Sequence, residues 1–324
     1  MPRMISTMLF CLLAAVTQTV HAEPAWPAKP IHLIVPFPAG GQLDVVSRLI
    51  ADRVSVALGQ PIIVEAKPGA DGNIATDFVA KSAPDGYTWL AASPPTTIQP
   101  SVRPKTLQYE PIRDFEPVAF IGTSPFLFVV PASIPAKTLQ EFVAYAKSKP
   151  GALSYGGSAS GTVVHLATEL LMHDTGIVME MIGYKGQPSA IPDLITARVQ
   201  FMTLGLILAE PHIKANALRP LAILDATRHA HLPDVPTVVE LGHPDLVMST
   251  WFGLAMPKGT PKAIVDRVNA LVMKVLQAQD VVARLQAMGI DPAKPNTPSD
   301  FGKFMQDDVA RWKKVVGDAK IVLD

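Results

Sequence analysis

Apolar and polar positions follow two rhythms along this chain, and the points where one gives way to the other mark its elements. Ile31-His32-Leu33-Ile34-Val35 is a short apolar run suited to a strand, and it passes through Pro36-Phe37-Pro38-Ala39-Gly40-Gly41 into an amphipathic segment. There Val45, Val46, Leu49, Ile50, Val54 and Leu58 recur at spacings of three and four. That period predicts a helix from Leu43 to Leu58, stopped by Gly59-Gln60-Pro61. A short buried strand at Pro61 to Glu65 comes next, then a glycine-rich loop from Lys67 to Asn73 and a helix from Ile74 to Ser82. Tyr87 to Ala92 reads as a third strand, ending in the small polar loop Ser93-Pro94-Pro95-Thr96-Thr97. Three strand–loop–helix units in a row predict a parallel sheet with helices on its faces. In such sheets a ligand sits beyond the carboxyl ends of the strands.

The rhythm breaks between residues 101 and 135. Phe115 to Ile121 and Phe126 to Val130 are apolar segments parted by Gly122-Thr123-Ser124-Pro125, and they read as a crossing into a second domain. The alternation then restarts, with helices predicted at Leu139 to Ser148, Val163 to His173, Ala190 to Ala197 and Glu210 to Ala217. Strands are predicted at Leu153 to Tyr155, Val178 to Ile182, Val199 to Leu204 and Leu221 to Leu224. Val247 to Met256 is a second extended crossing, and two long amphipathic helices, Pro261 to Ala278 and Ser299 to Ala319, follow. Two α/β halves joined by two crossings make a hinged clamshell: 23–123 plus 249–324 as domain 1, and 124–248 as domain 2. A cleft between two such domains is a preferred ligand site, and closure about the crossings is its usual motion.

Composition narrows the setting. Arg3, the apolar run Met4 to Val16 and the small residue at the end of Val20-His21-Ala22 make residues 1–22 a secretory signal peptide, with cleavage expected near Ala22. The run falls short of the roughly 18–20 apolar residues of a membrane span. Cys11, the one cysteine, lies inside that leader. The mature chain then has no thiol, disulfide or thiolate metal site, and the expected compartment is the periplasm. Lysine plus arginine equals aspartate plus glutamate, 28 each, which indicates neither a nucleic-acid surface nor a polybasic membrane patch.

The turn at Gly40-Gly41 lets backbone amides approach a ligand, and the helix start behind it favours a carboxylate or phosphate. Asp44 is expected to be structural, pairing with Arg48 or capping loop amides, because a carboxylate facing an anion repels it. Ser158, Ser160 and Thr162 lie in a second small-residue loop, but each serine lacks one glycine of a Gly-x-Ser-x-Gly elbow. His165 is the one nearby histidine. An exported α/β hydrolase using Ser158 or Ser160 therefore stays open as an alternative to a loop that binds anions. Gly156 and Gly161 have dinucleotide-fingerprint spacing, yet Ser158 replaces the middle glycine. The histidine pairs 165/173 and 229/231 make no three-ligand metal set, so neither cofactor nor metal is expected.

Several motifs occur in order: Pro36-Phe37-Pro38-Ala39-Gly40-Gly41-x-x-Asp44, Pro68-Gly69-x-x-Gly72-Asn73, Ala83-Pro84-Asp85-Gly86-Tyr87-Thr88, Tyr184-Lys185-Gly186, Leu232-Pro233-Asp234-Val235-Pro236-Thr237 and Trp251-Phe252-Gly253-Leu254. Together they resemble the Bug-type solute receptors of tripartite tricarboxylate transporters over nearly the whole mature chain. The resemblance implies a two-domain periplasmic-binding-protein clamshell, type II-like, that is not an enzyme. It also implies a small organic acid as ligand (mono- or dicarboxylate, aromatic acids included), a membrane permease as partner, and a monomer. Carried over by position, one wall of the cleft is Pro38, Ala39, Gly40 and Gly41 with Asn73, Ser93 and Thr96. The other is Ser158, Gly161, Thr162, His165 and Tyr184. Relatives commonly have glycine where Ala197 stands and acidic residues at the positions of Gln200 and Leu204. Leu204 is therefore expected to make the pocket more apolar. A ligand-dependent docking partner of a sensor kinase is the remaining alternative.

Overall fold

The computed structural model describes residues 26–157 and 161–318. The expected leader with its cleavage point near Ala22, together with Ser158 and Ser160, lies outside the described residues.

β1 (Ile31–Val35) runs into α1 (Gln42–Leu58), which buries Leu43, Val46, Leu49, Ile50, Val54 and Leu58 on one stripe. The helix ends where Gly59 takes φ 70° and its amide reaches Ser55 O at 2.9 Å, a conformation glycine adopts without a Cβ penalty. β2 (Ile62–Ala66), α2 (Asn73–Ala80) and β3 (Thr88–Ala92) follow. β2 is not the buried strand the sequence led us to expect. It pairs only with β1, at the sheet edge, and Ile63 is 42% exposed. The small polar loop expected after β3 is helical instead, because α3 spans Pro95–Val102. A proline at its start fits a position whose amide has no helical partner.

β4 (Phe115–Pro131) is one continuous strand where the sequence suggested two segments. The second half contains α4 (Leu139–Lys147), β5 (Leu153–Gly157), α5 (Val163–Thr175), β6 (Met179–Gly183), α6 (Gln187–Ile195), β7 (Phe201–Gly205), α7 (Leu206–Lys214) and β8 (Leu218–Ile223). β9 (Ser249–Pro257) returns to the first half, followed by α8 (Lys262–Leu276), α9 (Gln279–Ala287), β10 (Asp291–Pro292) and α10 (Pro298–Asp318). Neither α9 nor β10 was expected from the sequence.

The strand order is β2-β1-β3-β9-β4-β7-β5-β6, with β8 and β10 also on β4. The sheet is mixed, not wholly parallel: β2, β1 and β3 are parallel, β9 and β4 run antiparallel to their neighbours, and β7, β5 and β6 are parallel again. β4 pairs with β9 from Phe115↔Pro257 to Pro125↔Ser249, then with β7 from Phe126↔Gly205 onward. The two long strands therefore tie two lobes together, and the molecule is a two-domain α/β clamshell.

The register orients the lobes. β3 and β4 are both antiparallel to β9, so β3 points its carboxyl end, Ala92, the way β4 travels into the second lobe. β7 is antiparallel to β4 and ends at Gly205 opposite Phe126, so β7, with β5 and β6 parallel to it, points back at the first lobe. The carboxyl ends of β1, β2 and β3 thus face those of β5, β6 and β7.

α10 belongs to both lobes. Phe301 and Met305 pack with Ile34, Leu90 and Trp251 of the first, whereas Trp312, Val315 and Val316 complete the core around Phe128, Phe142 and Tyr155 of the second.

Candidate functional site

At the first wall, Pro38, Ala39, Gly40 and Gly41 are all exposed, and Gly40 takes φ 82°. Asp44 is buried beneath this turn. It accepts the Gly40 amide (2.9 Å) and both the Nε (3.0 Å) and Nη2 (2.9 Å) of Arg48. The Arg48 hydrogen bonds, more than the Gly40 amide, hold its carboxyl below the usual range despite burial. The acid is the turn's brace, as its sequence position implied. The Gly41 amide reaches Pro38 O at 3.3 Å, and α1 begins with no side chain capping it. The first amides of α1 are left for solvent or a ligand.

Asn73 opens α2, but its side chain is engaged: Nδ2 reaches Gln99 Oε1 at 3.4 Å, and Oδ1 accepts the Tyr109 hydroxyl at 3.2 Å. Thr96 is buried, with Oγ1 3.5 Å from the Ser93 amide. Ser93 is 5% exposed and its Oγ is buried with no hydrogen-bond partner. An unpaired buried hydroxyl costs about 1–3 kcal/mol. Ser93 stands directly after the carboxyl end of β3, the end turned toward the second lobe.

On the second wall, Thr162 caps α5 by accepting the His165 amide (3.4 Å), and the Gly161 amide donates to His165 Nδ1 at 3.1 Å. His165 Nε2 lies 3.6 Å from Glu169 Oε1, which in turn accepts the Tyr155 hydroxyl at 2.5 Å. Burial lowers the His165 pKa against the opposing Glu169 charge, so the ring is neutral and braces the loop. A serine nucleophile needs a histidine nitrogen free to take its proton. His165 has Nδ1 filled and Nε2 turned to an acid.

Tyr184 leaves β6 at the same edge, with its hydroxyl committed to Asp193 Oδ2 at 2.9 Å. Leu204 is 0% exposed and packs among Leu127, Ala190 and Leu194. The structure therefore gives Leu204 a place in the lobe's core and no open surface. Gln200 is structural too: Oε1 accepts the Ser154 amide (2.9 Å) and Nε2 donates to Ala197 O (2.7 Å).

Sequence reasoning passed over two groups at these tips. Gln187 Oε1 accepts the Gly205 amide at 3.2 Å, joining the ends of β6 and β7, and Arg103 reaches Asp71 at 3.4 Å. Gln187 lay within the expected loop after β6, so its position was readable although its partner was not.

A cavity of about 930 Å³ lies elsewhere, between β4, α8 and α10. Its lysines Lys258, Lys262 and Lys303 are paired with Glu116, Asp266 and Asp307 at 3.1, 2.5 and 2.7 Å. No unpaired charge there selects an anion, and none of its lining comes from the strand-tip loops. Among the described residues, no group of three His, Cys, Asp or Glu side chains is placed to hold a metal ion.

The family described as "Tripartite tricarboxylate transporter family receptor" matches residues 46–321. The chain belongs to this family. These receptors are periplasmic solute-binding proteins, not enzymes. BugT of Bordetella pertussis is 37% identical over 319 residues, covering 98% of this chain and 97% of BugT. Among solved structures, R. palustris Rpa4515 with adipate is 35% identical with a TM-score of 0.82, covering 92% of this chain and 99% of that one. MatC from Rhodopseudomonas palustris with bound malate is 32% identical with a TM-score of 0.79, covering 90% and 100%. Within this receptor fold no described helix is long and apolar enough to cross a membrane.

Proposed function

We propose that this receptor captures a small carboxylate between the lobes and hands it to the membrane components of its transporter. The opposed carboxyl ends of six strands support the reading, because they turn two sets of small-residue loops toward each other. The buried, unpartnered Ser93 hydroxyl supports it as a donor awaiting an acceptor. The adipate and malate bound to the two R. palustris relatives support the ligand class.

In this reading one ligand carboxylate meets the backbone of Pro38 to Gly41, the first amides of α1 and the Ser93 hydroxyl. Gly161, Thr162 and the residues just before them close from the second lobe, with Asn73, His165 and Tyr184 holding the loops in shape. The chain acts as a monomer after removal of residues 1–22, with domain 1 as 23–123 plus 249–324 and domain 2 as 124–248.

Titration calorimetry and melting against mono-, di- and tricarboxylates, adipate and malate included, test this. A true ligand at 100 times its Kd stabilises the fold by about 2.7 kcal/mol. No heat and no melting shift with any acid of the panel rejects the reading.

A further inference from the structure

Asp308 is a buried carboxylate that the binding reading does not use, and it stands where both lobes and the ligand loop meet. It lies midway along α10, between the half packed in the first lobe and the half packed in the second. Its Oδ2 is 2.5 Å from Thr97 Oγ1 in the first turn of α3 and 3.2 Å from Trp251 Nε1 on the crossing strand β9. One turn further along α10, Arg311 donates to Asp245 O (3.3 Å) and to Val247 O, fastening the helix to the segment that enters β9. The Trp312 indole beside them also helps hold the Asp308 charge.

Thr97 Oγ1 has one hydrogen, yet it lies 3.0 Å from Pro94 O as well as 2.5 Å from Asp308 Oδ2. Thr97 shares its hydrogen between the two oxygens, so the hydroxyl ties the acid to Pro94 O. Burial pushes the Asp308 carboxyl up, against the pull of Thr97, Arg311, Trp251 and Trp312. The chain Asp308–Thr97–Pro94 then ends one residue from Ser93, the unpartnered hydroxyl of the first wall.

We propose that Asp308 is the positioning residue through which ligand at the Ser93–Thr97 loop sets the angle between the lobes. The inference rests on the receptor reading, and it adds the path by which loop occupancy reaches the hinge. A ligand on Ser93 orders the start of α3; Thr97 passes that order to Asp308; Asp308 sits on Trp251 of one crossing strand and on the helix that spans both lobes.

The test uses the mature chain, whose lack of cysteine permits spin labels at Val56→Cys in the first lobe and Val178→Cys in the second, both exposed positions. Interlobe distances with and without adipate or malate are read alongside Kd. Asp308→Ala and Thr97→Val are expected to weaken binding at least tenfold and to broaden the distance distribution of the free protein. Asp308→Asn, whose amide oxygen still accepts from Thr97 and Trp251, and Thr97→Ser keep wild-type values. Thr97→Val preserves side-chain volume, so it remains informative should Asp308→Ala not fold. Lowered melting temperature with unchanged Kd and distances in both disruptive variants overturns the proposal. Wild type that binds neither acid, nor any other of the panel, removes the receptor reading and the inference together.

Discussion

Ala197 follows α6 with φ 59°, in the left-handed region that glycine enters freely and alanine does not. The site is fixed from both sides: its amide reaches Leu194 O at 3.0 Å and its carbonyl accepts Gln200 Nε2 at 2.7 Å. A left-handed non-glycine residue costs about 1–2 kcal/mol. Glycine removes that strain but adds about 0.5–1 kcal/mol of unfolded-chain freedom. Ala197→Gly is therefore expected to stabilise the protein by about 0.5–1 kcal/mol, or on the order of 1–2 °C in a chain of this size. Ala283→Gly, at an exposed position inside α9, is the control and should lose about 1 kcal/mol. Urea denaturation read by tryptophan fluorescence separates the two signs. Equal losses in both variants would refute the strain argument.

Two further outcomes follow from the walls of the cleft. Gly41 has an extended backbone (φ −69°, ψ 163°), and an added Cβ would come within 3.3 Å of Pro38 O. Gly41→Val should weaken the best-bound acid of the panel at least tenfold while shifting stability by less than about 0.5 kcal/mol, and unchanged affinity by calorimetry would show that the turn is not the anchor. His165 has a folded pKa below its unfolded value of about 6.5, so the unfolded chain takes up the proton first. Its contribution is present above that pH and lost as pH falls through the folded pKa. Denaturation at pH 7.5 and 5.5 should show a smaller acid loss in His165→Gln than in wild type, and an equal loss would contradict the assignment.

Elements with a long, regular stripe were readable from the sequence: α1, α5, α8 and α10 all fall within a few residues of their expected spans. β4 was divided in two because Gly122-Thr123-Ser124-Pro125 carries local turn chemistry. In the fold Gly122 serves another purpose: a Cβ there would come within 2.5 Å of Asp291 O, so glycine admits β10 alongside. That requirement comes from residues distant in sequence. The site divides the same way. Strand-tip loops announce themselves through glycine, serine and proline, so their places at the strand ends were legible. The partners were not: the Gly161 amide on His165, Tyr184 on Asp193 and the burial of Leu204 all depend on how helices settle after the sheet forms.

The straddling position of α10 makes the order of synthesis matter. The core around Phe128, Phe142 and Tyr155 is not complete until Trp312, Val315 and Val316 arrive at the far end of the sequence. A chain emerging amino end first holds that apolar surface uncovered until its closing turns are released. Contacts so remote in sequence form slowly, and surface left bare in the interval is what chaperones bind and aggregates grow from. Trimming the last turns of the protein would thus be felt first in the lobe built from its middle.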